Sequence, residues 1–104
     1  MININKYIFY EVCDKNIDTY TDLIKTIKQD YFYNINLLKY TTDCNIIRKI
    51  IHTLVGIVSI FNNTNIEINY LLKTILNIDK NIDNFSLYKE YINSLINYDT
   101  TNLF

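Results

Sequence analysis

The stretch Thr42–Phe61, TDCNIIRKIIHTLVGIVSIF, decides how the chain is read. Wound at about 100° per residue, it sets Ile46, Ile47, Ile50, Leu54, Ile57, Val58 and Phe61 along one side, and Asn45, Arg48, Lys49, His52, Val55, Gly56 and Ser59 along the other. The segment is therefore an amphipathic helix with one face toward a core. His52, the only histidine, is expected to point away from that core and to be wet. Gly56, the only glycine, sits one turn further along the same face. An interior helical glycine costs roughly 1 kcal/mol relative to alanine. Without a Cβ beside the imidazole, another molecule can come down onto His52, which gives that cost a reason.

Working outward, the preceding segment carries Tyr20, Ile24, Ile27, Tyr31, Ile35 and Leu38 at three- and four-residue steps, a long helix with its own buried stripe. Asp18 or Thr19 is expected to cap it, Asp22 adds charge to its first turn, and Lys39 suits its negative end. The aromatic run Tyr31, Phe32, Tyr33 lacks the flanking cations of a base-stacking platform and reads as core packing plus a partner surface. Thr42 or Asp43 caps the histidine helix, which is expected to end near Phe61.

The polar run Asn62–Asn65 breaks the chain, with Asn63 or Thr64 as the next cap and Glu67 completing a capping box with Thr64. Ile68, Leu71, Leu72, Ile75 and Ile78 then carry a third stripe to about Asp79. The turn DKNIDN follows, where Ile82 is expected to plug the end of the bundle. Asp83 or Asn84 caps a last helix with Phe85, Tyr88, Ile92, Leu95 and Ile96 inside, before a tail from Asp99 to Phe104 that is expected to fray. Tyr7 to Val12 form an apolar cluster too short to assign by period.

Bulk composition agrees. The 104 residues suit one domain, residues 1–104, and 49% hydrophobic with 20% charged residues suits a compact globule. With no proline and one glycine, the punctuation of hairpins is missing, and spacing overrules the strand propensity of the many isoleucines and tyrosines. The fold expected is all-α: an up-and-down antiparallel four-helix bundle, its helices joined by short connections. The abundance of asparagine and isoleucine is what the codons of an AT-rich genome produce, and it reports source rather than function.

The net charge of −1, with both signs mixed along the chain, argues against nucleic acid as a partner. Cys13 and Cys44 are too few for a zinc site and read as free thiols of a reducing cytosol. No apolar run approaches the ~20 residues of a membrane helix. The chain is expected to be cytoplasmic and monomeric, with no cofactor, metal or membrane.

The run His52, Thr53, Leu54, Val55, Gly56, in the middle of one helix of an all-helical chain, resembles the histidine-containing phosphotransfer domain, whose hallmark is His, two residues, Lys, Gly. The order of helices around it is also similar, and in that family a short opening helix lies across the bundle, which the resemblance places at Asn5 to Cys13. It implies a carrier rather than an enzyme. His52 would take a phosphoryl group from the aspartyl phosphate of a response-regulator receiver domain, with a hybrid histidine kinase as a further partner, and hand it to another receiver. Asn45, Gly56 and Ser59 would shape the face, and Arg48 and Lys49 would offset part of the new charge. Val55 stands where the family usually carries lysine, so the expected cation is missing. That departure keeps a second reading open: an adaptor that binds receivers or other helical partners without being phosphorylated.

Overall fold

The structure, a computed structural model, describes residues 10, 11, 13–59 and 66–98. Most of the Asn5–Cys13 segment, Phe61, the break at Asn62–Asn65 and the tail from Asp99 lie outside the described residues. Four helices account for most of the rest: α1 (Ile17–Tyr40), α2 (Cys44–Val58), α3 (Ile66–Leu76) and α4 (Phe85–Ile96). No strand occurs among the described residues. α1 packs on α2, α2 on α3, α3 on α4, and α4 back on α1, so each helix has two neighbours around one core.

Short polar side chains start the helices, because the first amides of a helix have no partner within it. Asn16 accepts from the Thr19 amide at 3.1 Å and opens α1 one residue before Ile17, ahead of the expected Asp18 or Thr19. Asp43 accepts from the amides of Asn45 and Ile46 at 2.9 and 3.2 Å to open α2, and Asn84 accepts from Ser86 at 3.1 Å to open α4. Before α1 the backbone turns through Asp14 and Lys15, both left-handed at φ 50° and 58°. A turn of this kind favours glycine, which the chain does not have there; it closes with the Asn16 amide donating to the Cys13 carbonyl at 2.8 Å.

The core is aliphatic with two tyrosines. Ile24, Ile27, Tyr31, Ile35 and Leu38 face in from α1, as their spacing predicts, and Ile68, Leu72 and Ile75 from α3 and Tyr88, Ile92 and Leu95 from α4 meet them. Among the described residues nothing charged is buried. Burial, and next the charge on Tyr98, hold the Tyr31 phenol above its ordinary titration range. Of its aromatic neighbours Phe32 and Tyr33, both are exposed, so that run divides between core and surface.

Several positions differ from the sequence reading. In α2 the buried set is Cys44, Ile47, Ile50, Ile51, Leu54 and Val58. Ile46, expected inside, is 47% exposed, whereas Ile51, absent from the expected stripe, is fully buried. Because α2 packs against both α1 and α3, its buried arc is centred near Ile47 and Leu54. Ile51 lies only about 40° round from Ile47, but Ile46 lies about 100° away and falls outside the arc. Ile57 is half-buried at the same edge. α3 ends at Leu76 rather than near Asp79, and Ile82 does not plug the bundle end but is 42% exposed in the α3–α4 turn.

Candidate functional site

His52 is the ninth residue of the fifteen in α2, so neither end of the helix is near it and its backbone is fixed by hydrogen bonds on both sides. Its side chain is exposed, as are those of Asn45, Lys49, Thr53 and Ser59, with the bare Cα of Gly56 among them. Among the described residues none hydrogen-bonds the imidazole or forms an ion pair with it. The ring nitrogens are accordingly available to whatever lands on this face.

A Cβ built on Gly56 meets nothing within 4 Å. Among the described residues no neighbour requires bare backbone at this position. Gly56→Ala is therefore expected to stabilise the folded chain by about 0.5–1 kcal/mol through helix propensity alone, read as a raised midpoint in denaturant. The Ser59 hydroxyl turns back to donate to the Gly56 carbonyl at 2.7 Å, and the Thr53 hydroxyl donates to the Lys49 carbonyl at 3.1 Å. Thr53 was not marked by the sequence; it stands beside His52 with its hydroxyl aimed at backbone.

Two of the expected site residues are placed differently from the rest. Arg48 is half-buried on the side of α2 that meets α3. Its Nη1 donates to the Ile78 carbonyl at 2.7 Å and its Nη2 to the Leu76 carbonyl at 3.1 Å. The last carbonyls of a helix have no partner within it and carry its negative end, so a guanidinium there closes α3 where a glycine or proline often would. Sequence spacing put Arg48 on the open face because the position is more than 90° from the core; the length of the side chain carries its head across to α3. Arg48→Met, which keeps the stem and removes the donors, is expected to lower stability by about 1–2 kcal/mol in thermal or urea unfolding. Val55 is also half-buried and packs against the core rather than standing on the open face.

Burial first, then a hydrogen bond to Asp83 and the charges of Asp83 and Asp43, raise the Cys44 thiol above its ordinary titration range. Both cysteines are free and buried. On the other flank of α2, Leu37, Tyr40, Asp43, Ile46 and Ile50 line an open cleft of about 490 Å³ at the α1–α2 turn. Tyr40 stands 82% exposed at its rim. Among the described residues no three His, Cys, Asp or Glu side chains gather to hold a metal ion, and no helix is long and apolar enough to cross a membrane.

The chain matches no family model, no curated protein and no solved structure.

Proposed function

We propose that this chain is a phosphoryl carrier of a histidine-to-aspartate relay, with His52 as the acceptor. The observation that supports it is the exposed imidazole in mid-helix, without a hydrogen-bond or ion-pair partner among the described residues, beside a glycine that none of those residues crowds. An imidazole near its pKa has an unprotonated nitrogen that is nucleophilic without a general base. That nitrogen attacks the phosphorus of an aspartyl phosphate on a receiver domain. The N–P bond forms as the acyl P–O bond breaks, the electron pair leaves with the carboxylate, and the ring gives up its other proton to water. The second transfer is the reverse step onto the aspartate of another receiver. The receiver supplies the magnesium and most of the charge stabilisation, so this chain is a substrate of the transfer and no enzyme.

The bundle supports this chemistry by holding one exposed face still. We take its arrangement as up-and-down and antiparallel, since the connections Thr41–Asp43 and Asn77–Asn84 are short and Arg48, in the first half of α2, reaches the end of α3. We take the protein to act as a monomer in the cytoplasm. The test is incubation with a phosphorylated receiver carrying labelled phosphate. The expected result is label on this chain that is labile in acid, stable in alkali, and maps to His52. No transfer from a panel of receivers would overturn the carrier reading.

A second reading has its own support. Val55 packs against the core and Arg48 is committed to α3, so two residues expected to meet a partner's phosphoryl group do not stand on the open face. An adaptor that docks through Asn45, Lys49, Gly56 and Ser59 without being phosphorylated needs no cation at those two positions. Receiver binding that persists unchanged in His52→Ala, with no label in the wild type, is the outcome that selects it.

A further inference from the structure

We infer that Lys49 is the cation that holds the phosphoryl group on His52. The inference rests on the carrier reading above and adds a residue role that His52 alone does not determine. A phosphoryl group on the ring places about −1.5 to −2 charge on an open helix face. α2 contains two cations, Arg48 and Lys49. Arg48 is half-buried, with both terminal nitrogens donating to the Leu76 and Ile78 carbonyls. Turning it toward His52 would uncover those two carbonyls at the negative end of α3.

Lys49 has no such tie. It is exposed, and among the described residues no ion pair or side-chain hydrogen bond holds its ammonium. It precedes His52 by three residues, so the two side chains are neighbours on the helix surface, about 4.5 Å apart along the axis. Its four-carbon stem and three donors let the ammonium follow a phosphoryl group that arrives and leaves. The Thr53 hydroxyl donates to the Lys49 carbonyl and offers the phosphoryl group no competing donor. With Val55 turned toward the core, the charge that reaches the phosphoryl group comes from the N-terminal side of the imidazole.

The test uses the full chain and two donors, phosphoramidate and a phosphorylated receiver, and follows the appearance of label on His52 in Lys49→Gln and Lys49→Arg. The expected result is transfer from the receiver slowed about threefold to fivefold in Lys49→Gln at low salt, near wild-type rates in Lys49→Arg, and a gap that closes at 1 M salt. Thermal unfolding of both variants is expected to match the wild type, since the Lys49 side chain is exposed and, among the described residues, no ion pair or hydrogen bond holds its ammonium. Salt-independent slowing in both variants would mark a merely structural role, and equal rates for Lys49→Gln and wild type with His52 labelled in each would show that Lys49 does nothing; either overturns the inference while leaving the carrier reading in place. A wild type that takes label from neither donor overturns both.

Discussion

Ile51→Ala is expected to lower the stability of the chain by about 3 kcal/mol, while Ile46→Ala five residues earlier is expected to change it by less than about 1 kcal/mol. The two isoleucines belong to the same helix and differ only in direction. Ile51 is fully buried in the core on the side of α2 that packs on its neighbours α1 and α3, and truncating it removes three carbons from water-free contact and leaves a cavity that the surrounding aliphatic groups fill only in part. Ile46 is 47% exposed at the rim of the α1–α2 cleft, so alanine there gives up much less. For a domain of this size, whose whole stability is on the order of 5–15 kcal/mol, the first loss amounts to a drop in Tm of roughly 10–20 °C. Circular dichroism at 222 nm during heating distinguishes the two. Equal effects would mean that α2 is rotated about its axis relative to the packing described.

His52→Gln is expected to abolish acid-labile label completely and to leave Tm within about 1 °C of the wild type. Glutamine keeps a polar side chain of similar reach and helix propensity but has no nucleophilic nitrogen, because its amide lone pair is delocalised. The imidazole is exposed and makes no hydrogen bond among the described residues, so its removal takes nothing from the fold. Loss of label together with a large fall in Tm would instead show His52 to be a structural residue. Retained label would place the acceptor elsewhere. Receiver binding, measured by titration calorimetry, is expected to survive the substitution, since the proposed docking face takes in Asn45, Lys49, Gly56 and Ser59 as well.

Much of this was readable from the residues. The α1 stripe from Ile24 to Leu38 and the α4 set Tyr88, Ile92 and Leu95 are where three- and four-residue spacing puts them. α2 was harder. Its isoleucines at 46, 47, 50 and 51 spread over more of the helix than the buried arc takes in, so spacing alone does not say which of them lie at its edge. The exposure of His52 and Gly56 did follow from the pattern, since both lie far from every plausible centre of the arc. The position of Arg48 did not. Angular position fixes where a Cα lies, but the guanidinium is several bonds further out, and its destination depends on where α3 ends, which Leu76 and Ile78 show only in three dimensions.

The way these helices begin and end bears on how such a sequence is maintained. Starts need a short oxygen-bearing side chain, and the chain uses Asn16, Asp43 and Asn84. A nucleotide pool rich in A and T supplies asparagine freely, so mutation pressure of that kind replenishes these signals instead of eroding them. Helix stops are the reverse case: glycine and proline are written with G and C, and the chain has one of the first and none of the second. At α3 the stop is made instead by a long basic side chain reaching over from another segment, so it depends on two distant sites, Arg48 in α2 and the carbonyls of Leu76 and Ile78.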